Sequence, residues 1–304
     1  MKLFDLHCDT LGECVKTGKS LLHNDLQLDL ERGISFSRWV QCFAVWIPDD
    51  LRGAGAVRFF DEAVALLEAE AERCPRLRLV RCGADLDSLR DGECGAILTV
   101  ESGAAAAGTI DGIRHLYSRG VRMMTLTWNA ANELGGGVRA PGRLTPFGME
   151  ALREMERLGM AIDLSHASER LFYDVAAHTA GPLVASHSNA RSLCAHPRNL
   201  TDEQFCLIRD RGGLVGLNFA PFFLRSQGKA SREDLYRHAE HFLSLGGERT
   251  LAIGSDFDGT ELPEDMEGLS SMEEIYELFL RHGYSESLVR QIFFENAFDF
   301  FHSL

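Results

Sequence analysis

The sequence predicts an α/β protein built as a (β/α)8 TIM-type barrel, and three observations carry that expectation. Eight short apolar runs alternate with helix-patterned stretches along the whole chain, the rhythm of parallel βα units. The length, 304 residues, suits one barrel of typically ~250 residues with insertions. Several apolar runs end in a histidine or a carboxylate, and such a barrel gathers the C-terminal ends of its strands at one face. A doubly wound open sheet is the alternative. No linker, low-complexity run or fixed-period repeat divides the chain, so one domain over residues 1–304 is expected.

Taken in order, Leu3, Phe4 and Leu6 begin a short strand that runs into His7-Cys8-Asp9. Side chains alternate along a strand, so His7 and Asp9 point one way and Cys8 the other, towards packing between barrel and helices. Residues 39–47, rich in aromatic and β-branched side chains, read as the second strand. Residues 56–74 follow with Phe59, Ala63, Leu66 and Leu67 on one helical face, and Pro75 stops them. Residues 96–101 are an apolar strand ending in Glu101, 111–119 a helix, and 121–127 a strand. The stretch from Gly135 to Pro146 is a loop; its Gly135-Gly136-Gly137 lacks the Gly-Lys-Ser/Thr ending of a phosphate loop. Helix 149–158, strand 160–165, helix 169–177 and strand 182–186 come next. Thr201 opens a helix with Glu203 and Gln204 in its first turn. Strand 214–219, helix 232–245, strand 251–255 and helices 272–281 and 285–301 complete the chain.

Composition narrows the class of partner. Apolar residues make up 45% and charged ones 25%, the mix of a globular protein that buries a full core. Acidic residues outnumber basic ones 45 to 31 for a formal charge of -14, which argues against nucleic acid, whose phosphates need basic patches. Met1-Lys2 leads straight into a strand interrupted by Asp5, without the apolar stretch of ~7–15 residues that a signal peptide carries. The longest uncharged stretch, 212–224, is shorter than the ~18 residues a membrane span requires. Eight scattered cysteines with no Cys-x-x-Cys pair read as reduced thiols. A cytoplasmic location without a membrane partner is the expectation.

The candidate chemistry lies at the strand ends: His7 and Asp9, Glu101, His166, His187 and Asp256. An isolated strand-end histidine is usually a hydrogen-bonded structural residue. Six such groups on five strands are hard to explain that way, because burying several charges together is costly unless a cation neutralises them. One metal needs three or four ligands; this set offers enough for two, with a glutamate between. A carboxylate suits bridging because each oxygen can take one metal. Two metals about 3.5–4 Å apart can share a hydroxide at neutral pH. Asp256, without a histidine neighbour in sequence, is suited to accept the water's proton and return it to a leaving group. Asp258 faces the same side by period, or caps the following turn. Arg198, in a loop with His196 and Pro197, has the fork that suits a bidentate clamp on a substrate carboxylate. His23, His115, His178, His238, His241 and His282 fall in helices or loops and read as solvated surface.

Together these residues resemble the membrane (renal) dipeptidase family, peptidase family M19 of the amidohydrolase superfamily, over essentially the full length. The matching pieces are His7-Cys8-Asp9, Val100-Glu101-Ser102-Gly103, Asp163-Leu164-Ser165-His166, Ala185-Ser186-His187-Ser188, Pro197-Arg198-Asn199 and Gly254-Ser255-Asp256-Phe257-Asp258-Gly259. The resemblance implies a distorted (β/α)8 barrel with a two-zinc centre that hydrolyses dipeptides, and a homodimer. It implies His7 and Asp9 on one zinc, Glu101 bridging, His166 and His187 on the other, Asp256 as the catalytic acid–base, and Arg198 gripping substrate. Another amidohydrolase activity, on an N-acyl amino acid or a lactone, is the alternative. One departure stands out: the mammalian relatives carry a histidine after the Leu-Thr pair of the fourth predicted strand, and here the position is Trp128. Tryptophan cannot replace that donor, so Asn129 or Asn132 is left to face the scissile carbonyl, with Trp128 as a wall of the substrate pocket or core.

Overall fold

The computed structural model describes residues 1–304, organised around one sheet of nine strands, every pairing parallel. They are β1 (Lys2–Cys8), β2 (Arg38–Trp46), β3 (Leu77–Leu79), β4 (Cys94–Glu101), β5 (Val121–Thr125), β6 (Ala161–Asp163), β7 (Leu183–Ala185), β8 (Leu214–Leu217) and β9 (Leu251–Ile253). Their order is β2-β1-β9-β8-β7-β6-β5-β4-β3, and β2 also pairs with β4. That extra pairing closes eight strands into a barrel and excludes the open sheet. The ninth, β3, stays outside the ring on the lower half of β4, matching Leu77 to Cys94 and Leu79 to Ala96. From Leu98 onward β5 takes over the same edge of β4. Three residues with one alternation, Leu-Arg-Leu, give too little pattern for sequence reading to find β3.

Two apolar layers result. Phe4 and Leu6 of β1 meet Val40, Ile97, Met123 and Val184 inside the barrel. Its floor is closed by the C-terminal helical run, where Phe301 stacks on Phe4 with centroids 5.4 Å apart. That run is one helix by sequence pattern; in the structure it comprises Glu286–Arg290, a π-turn at Gln291–Glu295, and Asn296–His302. At its junction Asn296 donates to the carbonyls of Glu248 and Leu251, tying the run to the start of β9. The second layer, 70 buried residues, lies between barrel and helices and includes Cys8, on the side away from His7 that the sequence reading expects.

Helix signals placed the larger elements well. The helix Gly53–Arg73 stops before Pro75, and Thr201 and Gln204 form the reciprocal cap of Asp202–Asp210. The helix Thr10–Thr17 was missed because it follows Asp9 without an intervening loop. Gly18, left-handed at φ 71° just past its end, is the signal that marks it. His238 corrects the surface reading: it is buried, its ring lying against the Leu224 carbonyl and accepting the Ala190 amide. No helix is long and apolar enough to cross a membrane.

Candidate metal centre and active site

The upper rim of the barrel gathers residues that are far apart in the chain. His7 comes from the end of β1, and Asp9 stands just past it, at the N-cap of the following helix. An irregularity between Asp5 and Cys8 gives β1 one more residue than β2. It lets Phe4 and Leu6 share the barrel interior while His7 still reaches the rim. Glu101 is the last residue of β4 and continues the alternation of Ile97 and Thr99. His166, His187 and Asp256 follow β6, β7 and β9. His166 and Asp256 both have left-handed backbones, at φ 67° and 64°. Such strain in non-glycine residues is held only where surrounding structure over-determines it, and it clusters at functional sites.

All six groups are brought together, and Glu101 divides them. Its Oε1 lies 2.8 Å from His166 Nε2 and 3.6 Å from His187 Nε2, while its Oε2 lies 3.7 Å from His7 Nε2. His7 Nε2 is also 3.6 Å from Asp9 Oδ2 and 3.9 Å from Asp256 Oδ1. Two overlapping donor groups have metal-holding spacing, His7 with Glu101 and His187, and His7 with Asp9 and Asp256. His7 Nε2 and Asp9 Oδ1 are buried and have no hydrogen-bond partner. A Cβ on Gly259 would lie 2.1 Å from Asp9 Oδ2 and 2.5 Å from Asp256 Oδ1, so only glycine leaves that space open. Orphaned donors around a cleared space, all nitrogen or carboxylate oxygen, fit divalent cations.

The electrostatics agree. Burial raises the Glu101 carboxyl well above its ordinary range, with Asp9 adding to the effect. Burial likewise pushes Asp256 up to about 6, against the opposing pull of His7. Burial opposes charge on His7, yet Asp9, Glu101 and Asp256 together push it up to about 10. Glu101 and Asp256, gathered out of water, thus hold protons more tightly than free carboxyls until another positive charge takes their place. Burial, aided by the charges of Arg198 and His7, keeps His166 and His187 well below their usual values, as neutral imidazoles.

Hydrogen bonds also choose the tautomers. Asp163 Oδ2 accepts from Ser186 Oγ at 2.5 Å and from Thr125 Oγ1 at 2.6 Å; its Oδ1 accepts the amides of Ser165 and Ser186. Ser186 Oγ, its proton committed to Asp163, can only accept from His187 Nδ1 at 2.8 Å. The proton of His187 is therefore on Nδ1, and the Nε2 lone pair faces Glu101. Asn129 Oδ1, 3.1 Å from His166 Nδ1, does the same for His166. Sequence reading missed this role of Asn129 and the roles of Asp163 and Ser186, because each is defined by a partner at least 23 residues away, Ser186 Oγ excepted in its contact with His187.

Above these groups lies a cavity of about 630 Å³. Trp128 lines it, its ring edge-on to Trp46 at 4.9 Å between centroids, and Asn129 lines it as well. Trp46 was not singled out by sequence; its place at the end of β2 is the available signal. Asn132 is turned away, donating to the Leu126 carbonyl. Arg198 is buried at the cavity wall, donating to Ser188 Oγ and the His187 carbonyl, with Nε unpartnered. Asp258 accepts from Thr10 Oγ1 and the Gln27 backbone amide, tying its own loop to the first turn of the helix Thr10–Thr17 and to the loop after it, and it also lines the cavity.

The model of the membrane dipeptidase family, peptidase family M19, matches residues 1–303. An uncharacterized protein of the pqqA 5′ region in Klebsiella pneumoniae is 34% identical over 253 residues, 78% of this chain and 92% of that protein. Among solved structures, a metallopeptidase from Rhodobacter sphaeroides, liganded with a phosphinate mimic of the dipeptide L-Ala-D-Ala, aligns with TM-score 0.90 at 28% identity. That alignment covers 99% of this chain and 98% of the other. A dipeptidase described as a metallopeptidase of family M19 aligns with TM-score 0.88 at 28% identity, over 99% and 98% of the two chains.

Proposed function

The chain belongs to the membrane dipeptidase family (peptidase family M19) and is a metal-dependent hydrolase of dipeptides; from that premise we propose a two-zinc enzyme acting on dipeptides with a free C-terminal carboxylate. The observation that carries the reading is the split of Glu101, one oxygen towards His166 and His187 and the other towards His7. His7 and Asp9 would hold one ion, His166 and His187 the other, with Glu101 shared. When bound, such a pair lowers the pKa of a water towards neutrality and polarises the scissile carbonyl.

The remaining steps fall to the chain's own residues. Asp256, oriented by Asn218 Nδ2 at 2.9 Å, takes the proton of the attacking water and returns it to the leaving amine. Asn129 keeps an amide group free to face the substrate, beside the indole wall of Trp128. Arg198 takes the terminal carboxylate, and with both ends set only one residue fits beyond the scissile bond. The acidic end of the cavity, with Asp258, supports a free ammonium over an N-acyl group.

The deciding experiment measures kcat/KM for one dipeptide as acid and as C-terminal amide, in wild type and Arg198→Ala. A charge-assisted hydrogen bond is worth about 1.5–3 kcal/mol, so the free acid should lose roughly ten- to a hundredfold. Arg198→Lys should not restore it, because an ammonium cannot reproduce the fork. The amide, already poor, should lose little. An equal loss on both substrates means that Arg198 supports the fold or the metals and does not read the carboxylate.

Asp163→Asn tests the tautomer network. An amide nitrogen facing Ser186 Oγ would make the hydroxyl accept there, and it would then donate to His187 Nδ1. The proton of His187 moves to Nε2, where it blocks a metal. Zinc affinity measured by competition with a chelator should fall about 10–100-fold, the usual cost of losing such a supporting bond. Unchanged affinity in a folded variant would remove Asp163 from this role.

A further inference from the structure

The cavity is polarised across the ring. Glu13 and Asp258 lie by the ends of β1 and β9, whereas Arg198 and Arg139 follow β7 and β5 on the far side, beside His196. Arg198 is buried and braced by Ser188 and the His187 carbonyl. Arg139 is exposed, and its guanidinium has neither ion pair nor hydrogen bond within the chain. Three other cations nearby are paired: Lys16 with Glu13 at 2.7 Å, Arg143 with Asp174 at 3.0 Å, and Arg191 with Glu169 at 3.0 Å.

The free arginine is nonetheless firmly mounted. Its amide donates to the Asn129 carbonyl at 2.8 Å, and the amide of Val138 to the His166 carbonyl at 2.9 Å. Gly137 bridges to Ala167, and a Cβ there would lie 2.4 Å from the Trp128 carbonyl oxygen and 2.5 Å from that of Asn129. Only glycine permits this approach, so the loop is clamped onto the residues that follow β5 and β6. Burial depresses the basicity of His196, and the charges of Arg198 and then Arg139 depress it further, so both guanidiniums act on one stretch of wall.

We propose that Arg139 is a specificity residue for the C-terminal side of the substrate, and that dipeptides with an acidic C-terminal residue are the preferred class. This rests on the dipeptidase reading above, in which Arg198 takes the α-carboxylate. A substrate held there extends its C-terminal side chain along the wall that Arg139 shares, where a second carboxylate meets an unpaired guanidinium. The preference has to be local, since a chain of formal charge -14 repels a dipeptide of net charge -1 at long range. An acidic N-terminal residue instead meets Asp258.

The test uses the metal-loaded enzyme and four substrates, Ala-Glu, Ala-Gln, Glu-Ala and Gln-Ala, each with both configurations of the C-terminal residue. Glutamine matches glutamate in shape, so each acid-to-amide ratio of kcat/KM isolates the charge. Wild type should favour Ala-Glu over Ala-Gln about three- to tenfold, as befits a partly solvated forked pair. The ratio should fall towards one in Arg139→Ala, be partly kept in Arg139→Lys, and shrink as salt is raised. The Glu-Ala to Gln-Ala ratio should be one or less and should not follow Arg139. No preference for Ala-Glu, or a preference that survives Arg139→Ala, overturns the proposal. Turnover of any of the four dipeptides tests the dipeptidase reading separately: its absence on all four would sink that reading, whereas turnover without acid preference sinks this one alone.

Discussion

Replacing Glu101 with glutamine is expected to abolish activity and to strip the protein of metal. The carboxylate presents one oxygen to each half of the site, and an amide offers one oxygen and an NH2 group that repels a cation. Elemental analysis should find close to two zinc equivalents in wild type and far fewer in Glu101→Gln. The control is built into the electrostatics. Without metal, Glu101 is a buried carboxylate beside Asp9 and Asp256, and burial already pushes it strongly towards protonation. Removing its charge should therefore leave the metal-free protein at least as stable to heat as metal-free wild type, because an uncompensated buried charge costs several kcal/mol. Added zinc should raise the Tm of wild type and not of the variant. Full metal occupancy in a Glu101→Gln protein would contradict the bridging role.

Asp256→Asn is expected to lower kcat by roughly 10²–10⁴-fold, the usual worth of general acid–base catalysis. The substitution is conservative where it must be. Asparagine tolerates the left-handed backbone that Asp256 adopts at φ 64°, and its carbonyl can still accept from Asn218. What disappears is the ability to take and return a proton. Asp256 also stands with His7 and Asp9 in a group of metal-holding spacing, so metal content is the necessary second measurement. Zinc near the wild-type level with kcat lost assigns Asp256 to proton transfer. Loss of one equivalent reassigns it as an obligatory ligand.

The sequence by itself determined the larger frame. Eight apolar runs alternating with helices sufficed for parallel βα units, because each run is long enough, or sharply enough bounded, for its period to show. Closure into a barrel over an open sheet was decided by the β2–β4 pairing. The six strand-end groups were legible for the same reason: a polar residue closing an apolar run has one natural location in a parallel barrel. Even the common facing of His7 and Asp9 followed from their spacing of two. Tertiary structure decided the rest. β3 exists only because the lower half of β4 offers it an edge, and three residues cannot announce that. Asn129 offered itself to sequence reading as a donor towards substrate, yet its oxygen is turned to His166, 37 residues further on. Asp163 looked like part of a motif, whereas its work is to fix Ser186 and through it the tautomer of His187. Arg139 belonged to a glycine-rich loop without pattern until Gly137 was seen clamped against the Trp128 and Asn129 carbonyls. Periodicity records which face a residue takes on its own element. Which partner it meets there depends on chain segments brought together by closing the barrel, and that information is in no local stretch of sequence.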